Sequence, residues 1–431
     1  MSKSALVIGG GIAGMQASLD IADAGYKVYL VEKNPWIGGH MAQLDKTFPT
    51  LDCSSCIITP KMVSVGSHPL IEILTLSEVI KVEGEEGNFR VTVRRRPRYV
   101  DESRCTGCGL CSEACRLKGR IPKEFDLGLS KRSAIYIAFP QAIPMKYAID
   151  PERCLMVTRG KCGNKPRCLE VCEQKAINFN DEEKLITLEV GAIVVAVGYE
   201  LFPAEMKVEY GYSKYKNVIT SLELERLLSA SGPTGGKIVI DGIEPKSFLF
   251  IQCVGSRDQK VGNFYCSRVC CMYTAKQAYQ VKEAIPDARV VICFMDVRAF
   301  GKGYEAFYER VQRRGILYRR GLPSEVFERN GKLVVRGEDT LIGMVYEEEV
   351  DVVVLSCGLL PAKGSGELAR VLGIDVDEYG FLKEKDPNDP VETKRPGIFL
   401  AGCCQGPKDI PDSVSQASGA ASRALAVLSR N

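Results

Sequence analysis

One stretch near the N-terminus decides the fold: Leu6-Val7-Ile8-Gly9-Gly10-Gly11-Ile12-Ala13-Gly14. A short apolar strand enters a glycine triplet, a helical pattern follows, and a second apolar strand over 27–31 ends at Glu32. In such a βαβ unit the first glycine permits a tight turn, the second lets a pyrophosphate approach the backbone, and the third lets the helix pack on the strand. The stretch therefore predicts a dinucleotide-binding domain, with Glu32 placed to accept hydrogen bonds from a ribose.

Later segments favour FAD over NAD as the nucleotide. A glycine pair follows Glu32, as in FAD-binding flavoproteins of the disulfide-reductase type, and an apolar strand over 192–197 ends at Gly198. Another strand ends at Gly402-Cys403. Those flavoproteins place an aspartate at this cysteine, which hydrogen-bonds to the flavin ribityl chain, and the replacement by Cys403 leaves this hydrogen bond open. We expect a last helix to begin at Pro411 and to turn its N-terminal amides toward the flavin. The predicted FAD-binding residues are Gly9, Gly11, Ile12, Ala13, Gly14, Glu32, Lys33, Gly38, Gly39, Ala196, Gly198, Gly402, Cys403, Ser413 and Val414.

Two runs of cysteines in the middle of the chain have the spacing of a two-cluster ferredoxin. The first run reads C-x2-C-x2-C-x3-C over 105–115, and the second, over 154–172, ends in the same C-x3-C step. In such modules the fourth cysteine of each run binds the other cluster. Zinc or purely structural thiols are the alternative, but zinc sites usually show paired C-x2-C knuckles. The pattern predicts two 4Fe-4S clusters, one on Cys105, Cys108, Cys111 and Cys172 and the other on Cys115, Cys154, Cys162 and Cys168.

A second nucleotide domain is expected around the apolar strand at 247–252, but its glycine loop is missing. In place of that loop the chain carries Cys253, Cys266, Cys270 and Cys271 before a helical stretch and a further strand that ends at Asp296. We infer a Rossmann-like domain that has exchanged a pyridine nucleotide for a third 4Fe-4S cluster. Buried thiols at the start of a helix are the alternative interpretation of these four cysteines.

Four segments carry a resemblance to the A subunits of the heterodisulfide reductase family: LDCSSCIITPKM at 51–62, AIYIAFPQAIP at 134–144, CVGSR at 253–257 and AGCCQGPKDIP at 401–411. The resemblance covers nearly the whole chain. It implies an α/β, thioredoxin-reductase-like flavoprotein fold with two dinucleotide domains, an inserted two-cluster ferredoxin (α+β) domain, and a further cluster near the flavin. It also implies that Lys276 lies beside the isoalloxazine as a catalytic residue.

The resemblance implies a function in electron transfer during anaerobic metabolism. Family members exchange electrons between a flavin and 4Fe-4S clusters and pass them to partner subunits, and in some complexes the flavin bifurcates electron pairs. The expected partners are other subunits of such a complex and a ferredoxin-like, hydrogenase or dehydrogenase donor, in a hetero-oligomer or a dimer of complexes. Longer family members carry extra cluster-binding segments at both ends, so this short form is expected to hand electrons to its partners sooner.

Composition excludes several other classes of function. Of 431 residues 45% are hydrophobic and 26% charged, and a net charge of +3 gives no indication of binding to nucleic acid or to an anionic membrane. A strand begins at Ser4 with no signal peptide before it, so the 18 cysteines are interpreted chiefly as metal ligands in a reducing cytoplasm. No run of about 18 apolar residues predicts a membrane span, which leaves membrane association through partners.

Two alternative functions stay open on the sequence alone. The pair Cys53 and Cys56 would suit an NAD(P)H-dependent disulfide reductase, although neither His40 nor His68, the only histidines, lies in a recognisable proton-shuttling group. Membership of a membrane-associated, quinone-interacting oxidoreductase complex is the other alternative. The expected domains are an FAD-binding domain in three parts, 1–100, 181–235 and 345–431, an inserted ferredoxin domain, 101–180, and a cluster-bearing Rossmann-like domain, 236–344.

Overall fold

The computed structural model describes residues 3–430. The strands in this range are β1 (Ser4–Ile8), β2 (Lys27–Val31), β3 (Ile71–Leu74), β4 (Ser77–Glu85), β5 (Asn88–Arg95), β6 (Ile121–Pro122), β7 (Lys131–Arg132), β8 (Ile135–Tyr136), β9 (Ala148–Ile149), β10 (Lys184–Val190), β11 (Ala192–Val195), β12 (Tyr199–Leu201), β13 (Val218–Thr220), β14 (Ser247–Val254), β15 (Arg289–Phe294), β16 (Leu317–Arg320), β17 (Glu325–Arg329), β18 (Lys332–Asp339), β19 (Met344–Val350), β20 (Val352–Cys357), β21 (Leu359–Pro361) and β22 (Ile398–Leu400).

The helices connect and cover these strands. The α-helices are α1 (Ile12–Asp23), α2 (Ser54–Ser67), α3 (Leu110–Glu113), α4 (Leu155–Arg159), α5 (Arg167–Glu170), α6 (Ser221–Leu228), α7 (Cys270–Ala284), α8 (Tyr304–Arg313), α9 (Ser365–Leu372) and α10 (Ile410–Leu428). Short 3-10 helices span Gly39–Gln43, Glu124–Asp126, Ala204–Met206, Val208–Tyr210, Gln259–Val261 and Gly402–Cys404. Within residues 3–430, no helix combines the length and the apolar character needed to cross a membrane.

A parallel sheet forms the N-terminal nucleotide fold. Its strand order is β22-β11-β1-β2-β3, and β1 lies between β2 and β11 with every residue buried. Such complete burial is typical of a central parallel strand covered on both faces. Helices α1, α2 and α10 pack on one face, and the antiparallel sheet β10-β5-β4 packs on the other. The glycine turn follows the carboxyl end of β1, at the edge of this sheet.

A second parallel sheet repeats this plan, with strand order β13-β20-β14-β15-β16. Helices α6, α7 and α8 cover one face, and the antiparallel sheet β17-β18-β19 covers the other. The structure thus has two dinucleotide folds, as the fold class predicts. The second sheet reaches beyond the expected 236–344 domain, because β13 and β20 pair with each other and β20 pairs with β14.

The segment between β5 and β10 leaves the first fold and returns to it at one point. These two strands are antiparallel neighbours, and Arg95 at the end of β5 lies opposite Lys184 at the start of β10. The intervening residues form the small pairs β6-β7 and β8-β9, the short helices α3 to α5, and a separate apolar core that includes Val100, Ile135 and Ile149. The segment is therefore an insertion with a core of its own.

Candidate cofactor sites

The glycine turn after β1 has the shape that a bound pyrophosphate requires. A Cβ at Gly9 would lie 2.3 Å from the carbonyl oxygen of Ala196, and a Cβ at Gly14 would lie 1.8 Å from the carbonyl oxygen of Gly9. At Gly11, the residue before α1, nothing lies within 4 Å of the position of a Cβ. The Cβ position at Gly11 therefore faces open space, beside a helix N-terminus of the kind that binds anions. Ile12 and Ala13 form the first turn of this helix.

The carboxylate of Glu32 fixes the shape of this turn. It accepts a hydrogen bond from the Gly10 amide at 2.7 Å and another from the Asn34 amide at 2.8 Å. The side chain is buried, and that burial raises the pKa of Glu32, while the amides of Asn34 and Gly10 oppose the rise. Lys33, next in the chain, forms a partly exposed ion pair with Glu200 at 3.7 Å. The expected ribose acceptor is thus already bonded to backbone amides on both oxygens.

The glycine pair and Gly402, which begins a short 3-10 helix, converge on the same turn. The Gly38 amide donates to the carbonyl oxygen of Gly10 at 2.8 Å, and a Cβ at Gly39 would lie 3.1 Å from the Cα of Gly11. From the other end of the chain, a Cβ at Gly402 would lie 2.9 Å from the Cβ of Ala13. The predicted FAD-binding segments therefore meet around the N-terminus of α1.

The remaining predicted FAD residues lie at the carboxyl edge of the first sheet. Ala196 and Gly198 follow β11, and Gly198 takes a left-handed φ of 74°. Ser413 and Val414 lie in the first turns of α10, which begins three residues earlier, at Ile410. The buried Cys403 thiol donates to the carbonyl oxygen of Lys408 at 3.2 Å, and burial raises the pKa of this thiol.

The side chain of Lys408 closes this loop, and sequence reasoning did not single it out. Its ammonium donates to the carbonyl oxygens of Gly402 at 3.2 Å and Gly406 at 3.0 Å, and to the Gln405 side chain at 2.7 Å. Burial lowers the pKa of Lys408. The only signal in the sequence was its place in the 401–411 segment that carries the family resemblance.

The inserted segment brings its eight cysteines together in two groups. One cavity is lined by Cys105, Cys108, Cys111 and Cys172, and a second is lined by Cys115, Cys154, Cys162 and Cys168. These groups have the same members as the crossed sets expected from the spacing. Burial, and then the neighbouring thiols of the same group, raise the pKa of Cys111 and of Cys168 to about 12. A bound cluster would reverse this effect, because iron binds the thiolate.

Four further thiols meet at the carboxyl edge of the second sheet. Cys253 lies near the end of β14 with a left-handed φ of 58°, and Cys270 and Cys271 begin α7. Cys266 lies in the loop that connects β14 to α7. Burial, followed by the charges of the other three, raises the pKa of Cys253. The connection from β14 to α7 runs over 255–269, whereas three glycines connect β1 to α1. The four thiols therefore lie at a strand end that lacks the short glycine turn of the first fold.

The spacing of the donors bears on the zinc alternative. Between residues 3 and 430 the structure has no group of three or more His, Cys, Asp or Glu side chains that could hold a single metal ion. A cubane distributes four thiolates over separate iron atoms, so its ligands stand farther apart than the four ligands of one zinc ion. The eight thiols that line two shared cavities are the predicted ligands of the two clusters.

Lys276 lies buried at the junction of the two folds. Its ammonium donates to the carboxylate of Glu225 on α6 and to the carbonyl oxygen of Lys46 at 2.8 Å. The amide of Asp45 also donates to Glu225, at 3.0 Å. Both side chains of the Lys276–Glu225 pair are 2% exposed. The proposed catalytic lysine is thus held by a carboxylate and by the loop that precedes α2.

Cys53 and Cys56, which the sequence left open as a catalytic dithiol, form a disulfide at the start of α2. Neither of them lines the cavities of the inserted segment. His40 contacts Gln43 and the carbonyl oxygen of Tyr199, and His68 lies near Asp23. Both histidines therefore have partners other than Cys53 and Cys56.

Comparison with known proteins gives matches over nearly the whole chain. A family model described as FAD dependent oxidoreductase matches residues 5–50, and one described as 4Fe-4S binding domain matches residues 98–116. The chain is 53% identical over 428 residues to the iron-sulfur A subunit of the CoB--CoM heterodisulfide reductase of Methanocaldococcus jannaschii. It is 52% identical over 429 residues to the A subunit of the H(2):CoB-CoM heterodisulfide,ferredoxin reductase of Methanothermobacter thermautotrophicus. Each match covers 98% of this chain and 64% of the relative, so the chain spans less than two thirds of the length of these relatives.

Solved structures support the fold alone. The thioredoxin reductase of T. acidophilum superposes with a TM-score of 0.55 at 14% identity, covering 99% of both chains. The thioredoxin reductase of Lactococcus lactis superposes with a TM-score of 0.52 at 15% identity, again over 99% of both chains. The thioredoxin-reductase-like fold class expected from the sequence is therefore confirmed.

Proposed function

Because this chain belongs to the family of heterodisulfide reductase A subunits, we propose that it is an FAD and iron–sulfur electron-transfer subunit of a heterodisulfide-reductase-like complex. The observation that carries the proposal is the exchange in the second fold. Four thiols, Cys253, Cys266, Cys270 and Cys271, lie at the strand end where a pyridine nucleotide would bind. A fold that binds FAD but lacks a nicotinamide site needs another route for electrons, and cysteine-bound clusters provide one.

The residues of the chain divide into those that would hold FAD and those that would hold clusters. Gly11 and the N-terminus of α1 bind the pyrophosphate, Glu32 orders the turn, and Gly39 and Gly402 close around it. FAD, when bound, supplies the exchange between two-electron and one-electron chemistry. Three 4Fe-4S clusters are held by Cys105, Cys108, Cys111 and Cys172, by Cys115, Cys154, Cys162 and Cys168, and by Cys253, Cys266, Cys270 and Cys271.

Partner subunits supply the terminal donor and acceptor in this proposal. The proposal includes an FAD-binding domain in three parts (1–100, 181–235 and 345–431) and a cluster-bearing Rossmann-like domain (236–344). The ferredoxin insertion (101–180) exchanges electrons with the partners. The proposal also includes a reducing, cytoplasmic setting and assembly into a hetero-oligomer. Bifurcation of electron pairs between two acceptors is a further hypothesis, and a fixed ratio of the two reduced acceptors per donor pair consumed would test it.

The NAD(P)H-dependent disulfide reductase alternative predicts direct reduction by NADPH, which gives a direct experiment. The chain alone, purified without oxygen, is titrated with dithionite and separately with NADPH while flavin and cluster absorbance are recorded. We expect dithionite to bleach both absorbances and NADPH to bleach neither. Rapid bleaching of the flavin by NADPH would overturn the proposal. Co-purification of a haem-bearing or membrane protein would favour the quinone-interacting alternative.

A further inference from the structure

The disulfide between Cys53 and Cys56 has no part in the electron path proposed above. It spans only two intervening residues, so it closes a very short loop and restricts the unfolded chain little. No other cysteine within residues 3–430 forms a disulfide. A single disulfide that closes so short a loop is better explained by chemistry than by stabilisation of the fold.

The two sulfur atoms of this disulfide lie in different surroundings. Cys56 is exposed to solvent, whereas Cys53 is half-buried and is the residue that caps α2. The Cys53 sulfur accepts a hydrogen bond from the Cys56 amide at 3.2 Å and lies 3.2 Å from the Ser55 hydroxyl. The N-terminus of a 14-residue helix adds its positive end to these contacts. A thiolate released at Cys53 is therefore stabilised, and Cys56 is the sulfur that an incoming thiol can reach.

We propose that Cys53 and Cys56 form a thiol–disulfide exchange site for low-molecular-weight thiols. The thiolate of one thiol molecule attacks the Cys56 sulfur, the disulfide bond breaks, and Cys53 leaves as a thiolate. A second thiol molecule then attacks the mixed disulfide on Cys56, which yields the protein dithiol and the oxidised small disulfide. Two thiol molecules thus lose two electrons and two protons, and the protein disulfide gains them. Exchange is fastest when the attacked sulfur is accessible and the leaving thiolate is stabilised, and this pair meets both conditions.

The site lies next to the junction of the two folds. The Ser54 amide donates to the carbonyl oxygen of Asp45 at 2.8 Å, and the carboxylate of Asp45 accepts from Gln280 on α7 at 2.6 Å. Cys53 itself pairs with Lys46, whose carbonyl oxygen accepts from Lys276 on the same helix. The first residues of that helix are Cys270 and Cys271. Opening of the disulfide therefore occurs one loop away from the helix that carries the proposed third cluster.

A redox titration of the purified complex tests the proposal without any variant. The complex is equilibrated without oxygen at graded ratios of reduced to oxidised glutathione, alkylated, and digested with trypsin. The peptide over 47–61 contains Cys53 and Cys56 and no other cysteine, so its mass reports this pair alone. We expect conversion from the disulfide to the doubly alkylated dithiol across the titration. Cys357, which is fully buried, is the internal control and should stay unmodified until the protein is denatured. A peptide that stays entirely disulfide or entirely dithiol at every ratio would overturn the proposal.

Two single substitutions test which of the two cysteines carries the mixed disulfide. With oxidised glutathione, Cys53→Ser is expected to accumulate a glutathione adduct on the exposed Cys56. The matched variant Cys56→Ser leaves only the half-buried Cys53 and is expected to form several-fold less adduct. Equal adduct formation, or more adduct on Cys53, would contradict a mixed disulfide on Cys56. Neither outcome depends on FAD or on the clusters, so a failure here is distinguishable from a failure of the proposed function.

Discussion

Two glycines of the N-terminal turn leave no room for a side chain, whereas a third faces open space. The backbone approaches at Gly9 and Gly14 explain why the sequence pattern alone identified this turn, since only glycine fits such contacts. The carboxylate of Glu32 illustrates the limit of the pattern. The spacing placed an acid after the second strand, but it did not show that both carboxylate oxygens accept hydrogen bonds from backbone amides.

The contrast between Gly14 and Gly11 gives a paired prediction. Gly14→Ala places a Cβ 1.8 Å from a carbonyl oxygen, so α1 must shift and the melting temperature should fall by several degrees. Gly11→Ala meets no atom within 4 Å, so the FAD-free chain should melt as the wild type does. The added methyl group should still weaken retention of FAD, because it occupies the space assigned to the pyrophosphate. Thermal melts and flavin content after gel filtration measure the two effects, and full FAD retention by Gly11→Ala would contradict the assignment.

The pKa of Glu32 predicts a pH dependence with a definite sign. Burial raises this pKa above its value in the unfolded chain, despite the opposing amide hydrogen bonds. The stability that the protonated form contributes is therefore present in full below the unfolded pKa and is lost as the pH rises through the folded pKa. Glu32→Gln removes this titration. We expect the melting temperature of the wild type, relative to Glu32→Gln, to fall as the pH rises above about 4.3, the ordinary pKa of a glutamate. A difference that does not change with pH would contradict the raised pKa.

At the scale of elements, the inserted segment shows how spacing alone indicated a three-dimensional arrangement. The two cysteine runs lie far apart in sequence, yet each cavity takes three cysteines from one run and the fourth from the other. The ferredoxin spacing carried this information because the crossing is a property of the motif. No motif indicated the contacts of Lys408 or the ion pair between Lys276 and Glu225. These depend on loops and helices that are distant in sequence and meet only in the folded chain.

The crossed ligand sets predict a pattern of iron loss in double variants. Cys115→Ser combined with Cys162→Ser removes two ligands of one proposed cluster, so about four irons should be lost. Cys115→Ser combined with Cys108→Ser removes one ligand from each of the two clusters, so about eight irons should be lost. Iron assays on the anaerobically purified variants distinguish the cases. The opposite pattern would show that each run binds its own cluster.

The buried ion pair between Glu225 on α6 and Lys276 on α7 predicts a large loss of stability when only the lysine is replaced, and a partial recovery when both residues are replaced. Lys276→Met leaves the Glu225 carboxylate buried without its cation, which should cost about 3–5 kcal/mol of the free energy of unfolding. The double variant Lys276→Met with Glu225→Gln removes the uncompensated charge and should recover a large part of that loss. Chemical denaturation of the three proteins measures it. A double variant less stable than Lys276→Met alone would contradict an ion pair in this position.

At the scale of the whole molecule, the sequence predicted two nucleotide folds and an insertion, but it did not predict the extent of the second sheet. Local patterns identified β14 and β15, because each is an apolar run that follows the periodicity of a βαβ unit. The strands β13 and β20 lie on either side of the expected 236–344 domain, and only their parallel pairing assigns them to this sheet. Parallel partners are distant in sequence, so no short window reveals them.

In the proposed function, the second fold holds a cluster where related folds hold a pyridine nucleotide. Counting iron and flavin in the anaerobically purified chain, beside its Cys253→Ser variant, tests for this cluster. We expect one FAD and about twelve irons in the wild type, and about eight irons with unchanged flavin in the variant, because each 4Fe-4S cluster contributes four irons. A wild type that holds about eight irons, with no loss on substitution of Cys253, would contradict the claim.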